Sequence, residues 1–358
     1  MQFIPVKIQK AGYFFLAFLI LFFTGCGGKK SEPAGGGDGG VTATGGDGGS
    51  TTTPDSGQEI IPDIPVPVCD EGFVPNAEGV CVIFPDPVLE AGIRAAIALP
   101  EGEITMESLQ AVTILNLSIA PGAPAETARI GDLTGLEHCT ALRVLLLRFH
   151  NISDIGPVAA LTSLTRLDLG GNNITDISSV EGLTNLSSLS LSSNPITDFG
   201  PVAALTRLTG LFLASNNITE IGFLAGLTNL AQLVLSLNNI SDIGPLAGLT
   251  NLTTLLLASN DITEIGNLAG LTNLTQLVLS LNNISDIGSL TGLTHLAQLD
   301  LRTNQITDIS PLLTAHEGGA FPVRSMIWLM ANPFDPEAEA NQITLETLRA
   351  DGVVVHLL

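Results

Sequence analysis

The sequence predicts an α/β solenoid in which short parallel strands line a concave sheet and 3-10 turns return along the convex side. Three observations predict it. The spacing Leu164, Leu167, Leu169, Asn172, Ile174 recurs as Leu186, Leu189, Leu191, Asn194, Ile196, one period of 22 residues later. The composition is 45% hydrophobic but only 4% aromatic and 13% charged, so the core is built from many aliphatic contacts rather than a few large rings. Amphipathic stretches stand at both ends of the periodic region, where a stack of repeats would otherwise expose its interior.

Within each unit, alternate side chains of a strand point to one face, so Leu-x-Leu sends both leucines into the core. Strands of successive units then stack in parallel about 4.8 Å apart. An asparagine follows each strand, at Asn172, Asn194, Asn216, Asn238, Asn260, Asn282 and Asn304. Buried without partners, each would cost roughly 1–3 kcal/mol, so a structural ladder bonded to neighbouring turns is expected. The register runs back through Leu142, Leu145 and Leu147, with His150 as a substituted ladder residue. Farther back it reaches Leu115 and Leu117 through a unit lengthened by eight residues, around 120–128. Forward, Asn332 follows Asn304 by 28 residues, an insertion of six around 316–320.

This is the leucine-rich-repeat pattern, about ten repeats over 109–332. With its Ile-Thr-Asp-Ile and Leu-Thr-Asn-Leu segments it resembles the bacterial internalin type. The resemblance implies adhesion or recognition, and it assigns no receptor residues, because concave positions are the variable part of the template.

The ends read as caps. A helical N-terminal cap is expected over 85–108, with Asp86 as N-cap and Pro87 in the first turn. A C-terminal cap is expected over 333–358, as a helix from Asp335 to about Arg349 and a closing strand over 353–357.

The first 84 residues read as an address and a tether. Lys7 and Lys10 precede an apolar run over 11–23, too short for a bilayer that needs about 20 residues. A signal peptide over 1–25 is expected. Leu21-Phe22-Phe23-Thr24-Gly25-Cys26 resembles the lipobox of bacterial lipoproteins, which implies lipidation of Cys26, with ordinary signal cleavage as the alternative. By the rule of Gram-negative lipoproteins, the resemblance with Gly27 rather than Asp after the cysteine implies an exported protein of the outer membrane or cell surface. Residues 26–58 are expected to form a Gly/Ser/Thr-rich disordered tether, and 59–84 a Pro-rich stalk with a small loop that a Cys69–Cys81 disulfide would close.

A net charge of −22 repels nucleic acid. No metal spacing or nucleophile elbow is present, so no catalytic residue, metal or cofactor is expected. Cys139 reads as a small buried hydrophobe. The acids at 154, 176, 198, 220, 242, 264, 286 and 308 recur once per repeat and read as turn caps rather than a cation ladder.

The outward column between the strand leucines is more informative. It reads Leu146, Asp168, Ser190, Phe212, Val234, Leu256, Val278, Asp300 and Trp328. From Phe212 to Val278 it presents four apolar side chains to solvent, with Leu237 and Leu281 beside them. These six and Trp328 are the candidate ligand-binding residues. Segments 224–244 and 268–288 differ only at Ala231 versus Thr275, so the stripe is equally a duplication remnant. The expected function is a monomeric, non-enzymatic envelope protein, held to the membrane through lipid on Cys26. It binds another protein or a surface ligand through its repeat face. The alternative is a structural spacer or scaffold without a specific receptor.

Overall fold

The computed structural model describes residues 82–357. The signal peptide, Cys26, the tether and the Cys69–Cys81 pair lie outside the described residues. Within them, eleven three-residue strands form one parallel sheet in sequence order. They are β1 (Ile114–Asn116), β2 (Val144–Leu146), β3 (Arg166–Asp168), β4 (Ser188–Ser190), β5 (Gly210–Phe212), β6 (Gln232–Val234), β7 (Thr254–Leu256), β8 (Gln276–Val278), β9 (Gln298–Asp300), β10 (Met326–Trp328) and β11 (Val354–His356). Register is strict: Leu167 pairs with Leu189, Leu189 with Leu211, and Leu211 with Leu233. Each of these central leucines is fully buried.

A 3-10 turn follows almost every strand, such as Gly156–Ala160 or Ser178–Val180, and returns the chain along the opposite side. One repeat buries Leu164, Leu167, Leu169, Ile174, Ile177, Val180 and Leu183, none more than 1% exposed. Each such burial stabilises by about 1.5–3 kcal/mol, and the stack joins them into one continuous core.

Three ladders of side-chain hydrogen bonds run along the stack. In the innermost, Asn172 accepts from Ile152 N (3.1 Å) and donates to Leu147 O and Leu169 O (2.8 and 2.9 Å). Asn282 and Asn304 repeat the pattern. His150 occupies the same column and makes the same two kinds of bond. Its Nδ1 accepts from Ile130 N (3.1 Å) and its Nε2 meets Leu117 O (2.8 Å), across the lengthened unit.

The second ladder is made of hydroxyls just before the strands. Thr165 donates to Arg143 O, Ser187 to Thr165 O, and Thr209 to Ser187 O, each at 3.0 Å. Ala231 interrupts it, and Thr253 and Thr275 resume it. The third lies in the Leu-Thr-Asn-Leu segments, where Asn229, Asn251 and Asn273 each donate to a threonine carbonyl of the preceding repeat at 2.9 Å.

At the N-terminal end, α1 (Pro87–Ala96) closes the core with Leu89 and Ile93. Asp86 caps it through Val88 N and Leu89 N, and its second oxygen accepts from Gly131 N. Burial alone would push the Asp86 carboxyl up, but the backbone N–H groups of Gly131, Leu89, Asp132 and Val88 outweigh it and hold the carboxyl below its ordinary value. A short α2 (Met106–Gln110), capped by Thr105, adds Leu109. Gly92 allows close packing here: a Cβ would lie 2.4 Å from Leu117 Cδ1, and that side chain would have to move.

The C-terminal end departs from expectation in two respects. The six-residue insertion is absorbed in α3 (Ser310–Glu317), which replaces the 3-10 turn of its repeat. The last helix, α4 (Glu339–Ala350), begins four residues later than Asp335. The reason is local: Asp335 accepts from Glu337 N (3.0 Å), which closes a turn instead of capping a helix.

Two predictions follow from the ladders. Neutral His150 suits its partners, one N–H and one carbonyl, and burial lowers its pKa below 6.5. Its contribution is therefore complete above pH 6.5 and is lost as pH falls through the folded value. In urea unfolding, the stability of the wild type relative to His150→Asn should fall by about 1 kcal/mol between pH 7.5 and 5.0. Ala231→Thr should restore the missing hydroxyl bond to Thr209 O and stabilise by about 0.5–1 kcal/mol, read as a raised urea midpoint at constant slope.

The concave sheet face as candidate binding site

The sheet brings the outward column into one row. Ser190 pairs with Phe212, Phe212 with Val234, Val234 with Leu256, and Leu256 with Val278. Exposure corrects the expectation that all four apolar members face solvent. Val234 is 7% exposed and Leu256 9%. Strands spaced about 4.8 Å apart put each side chain against both neighbours, so the inner two cover each other. Phe212 and Val278, at the ends of the stripe, remain half-buried.

Phe212 lies low for an identifiable reason. A Cβ on Gly210, two residues earlier on the same strand, would stand 3.3 Å from the Phe212 ring. The missing side chain lets the ring fold over the strand as a flat apolar surface.

Leu237 and Leu281 form a lip beside the row. Leu237 is half-buried and Leu281 is 37% exposed. Both hold left-handed backbone, with φ of +60° and +58°. The same column carries Phe149, Gly171, Ser193, Ser215, Ser259, Thr303 and Ala331, all at positive φ. That conformation costs an L-residue about 1–2 kcal/mol, and a leucine side chain here buys no core burial in return. Gly171 was the sequence signal for this turn.

Two ion pairs bracket the stripe, and sequence reading missed both. Asp300 receives Arg302 in a two-pronged contact, Nε to Oδ1 at 2.8 Å and NH2 to Oδ2 at 2.6 Å. Arg302 follows Asp300 by two residues, just past the end of β9, close enough to fold back onto it. At the other end Arg148 Nε lies 3.6 Å from Asp168 Oδ1. Trp328 sits outside this bracket, separated from Val278 by Asp300, and stacks on His356 with centroids 5.5 Å apart.

Chemistry elsewhere is sparse. Six of the recurrent acids, Asp154, Asp176, Asp198, Asp242, Asp286 and Asp308, accept from the backbone N–H two residues on, at 2.7–2.8 Å. Cys139 is fully buried, and that burial, with the Glu137 charge, pushes its thiol up to about 12. It is therefore not a thiolate nucleophile near neutral pH. Among the described residues no cluster of three or more His, Cys, Asp or Glu could hold a metal, and no helix is long and apolar enough to cross a membrane.

Comparison with known proteins accords with this architecture. The family described as Leucine Rich repeats (2 copies) matches residues 140–182, 162–204, 206–249 and 273–314. No curated protein matches the chain. Internalin C2 from Listeria monocytogenes is 36% identical, with a TM-score of 0.57, over 60% of this chain and 92% of that one. A second Listeria monocytogenes internalin is 29% identical, with a TM-score of 0.53, over 77% and 91% of the two chains. A leucine-rich-repeat protein of Leptospira interrogans shares the fold at 24% identity and a TM-score of 0.61, over 70% and 62%. With more than a third identity over nearly all of internalin C2, and repeats matched at four places, the chain belongs to the leucine-rich-repeat proteins, with internalins as its structural neighbours.

Proposed function

We propose that this chain is an envelope recognition protein that captures a protein or surface ligand on its concave face. The carrying observation is the strained lip: Leu237 and Leu281 hold left-handed backbone where, apart from Phe149, the other repeats use small residues, and Leu281 is exposed. Beside them Phe212 and Val278 offer partly exposed apolar surface, rimmed by two Arg–Asp pairs. An apolar centre with a charged rim is the composition of a protein interface. The ligand is a folded protein or a surface polymer that offers an apolar ridge to this stripe. The chain acts as a monomer, without cofactor or catalysis.

Display from the membrane rests on the lipobox resemblance around Cys26. A diacylglycerol and an acyl chain on that residue exceed the two signals that stable anchoring needs. The outer membrane or cell surface is the proposed location.

A spacer or scaffold reading has its own support. Segments 224–244 and 268–288 are near-identical, so Val234 and Val278, and Leu237 and Leu281, are copies of one another.

Two experiments separate these readings. Leu281→Ser combined with Phe212→Ser should weaken binding to an extracellular protein identified by array at least about tenfold, with the melting temperature nearly unchanged for Leu281→Ser alone. Val234 and Leu256 are unsuitable for this purpose because they are buried. Undiminished binding would favour the spacer. Cys26→Ser should move the protein from the membrane to the soluble fraction, and protease treatment of intact cells should remove the repeats only if they face outward.

A further inference from the structure

His316 stands on α3 and Asp351 directly follows α4. The imidazole has two partners: Nδ1 lies 3.1 Å from the carbonyl oxygen of Ala320, and Nε2 lies 2.9 Å from Oδ2 of Asp351. A carbonyl and an ionised carboxylate only accept. Neutral imidazole carries a single N–H, so it could donate to one of them while its other nitrogen faced an oxygen lone pair to lone pair. Imidazolium donates to both. His150 is the contrasting case, with an N–H on one side and a carbonyl on the other.

The surroundings favour the charged form. Glu317 neighbours His316 on α3, Glu346 and Arg349 of α4 line a different cleft, and Arg324 meets this turn through its backbone N–H, which donates to Gly352 O. The 3-10 turn Gly288–Gly292 packed against α3 carries no titratable side chain. Of these groups Asp351 is the one in contact. Its hydrogen bond raises the His316 pKa above 6.5, against the opposing effect of partial burial, and the Ala320 carbonyl adds to the rise.

Backbone bonds join the cap to the last repeat, from Arg324 N to Gly352 O and along β10–β11, and this contact is one of few side-chain bonds added to them. Asn341 ties α4 to Ile309 N and Thr307 O, and β11 is an edge strand bonded to β10 alone. A cleft of about 680 Å³, lined by Phe321, Val323, Ala350 and Gly352 among others, opens beside the pair.

We propose that His316 and Asp351 form a proton-operated clasp that holds the C-terminal cap, α4 and β11, against the last repeat and loosens as pH rises. The folded state binds this proton more tightly than the unfolded chain. The clasp is therefore fully engaged below pH 6.5 and is lost as pH rises through the folded value.

Nuclear magnetic resonance on the full chain tests it. Ring resonances give the His316 midpoint, and amide exchange over Val354–His356, corrected for intrinsic rate, gives cap opening. We expect a midpoint above 6.5 and about a fivefold fall in β11 protection through it, while β6 amides stay flat. Asp351→Asn should bring the midpoint back toward 6.5 and remove the step, and His316→Gln should remove the step as well. A midpoint at or below 6.5, or β11 protection that is flat through it, overturns the clasp. If either variant fails to form its cap, the wild-type midpoint and step decide alone.

Discussion

Every repeat of this protein turns a corner that its own backbone cannot satisfy. After three residues of strand the chain leaves the sheet, and the peptide groups at that exit face a dry interior. The amide of one inward asparagine supplies both an acceptor and donors there, bonding its own turn and the turn before it. Everything else depends on this. The strand can be three residues long because its exit is held, and the leucines can stay in register because the exits are.

Satisfaction between neighbours also makes the two ends special, since each lacks a neighbour on one side. At the N-terminal end Asp86 and His150 take over, one capping a helix and the other imitating an asparagine across an enlarged unit. At the C-terminal end α3, α4 and β11 close the stack through longer side-chain contacts. The two histidines titrate in opposite senses, because burial dominates at His150 and the hydrogen bond to Asp351 dominates at His316.

Much of this was legible in the sequence because the period is rigid. Leu167, Asn172 and Ile174 fix strand, exit and core at once, and an error in one repeat would conflict with six others. The N-cap was equally plain, since Asp86-Pro87 carries its signal within two residues. The start of α4 was not, because Asp335-Pro336 offers the same local signal and the outcome depends on whether Asp335 bonds Glu337 or a later turn. Exposure of the stripe was misjudged for a different reason. Direction follows from alternation along one strand, but coverage of Val234 and Leu256 follows from what the adjoining strands carry. The ion pair of Arg148 with Asp168 likewise depends on neighbours that only the folded register brings close.

The strict register has a consequence at the level of heredity. Segments 224–244 and 268–288 are near-identical and lie 44 residues, two whole units, apart. Misaligned recombination between them adds or removes two complete turns, and each new junction reproduces one that already folds. Length thus becomes a trait that can vary in single genetic steps without passing through a misfolded ancestor, and the reach of the concave face can drift between lineages while its chemistry stays constant.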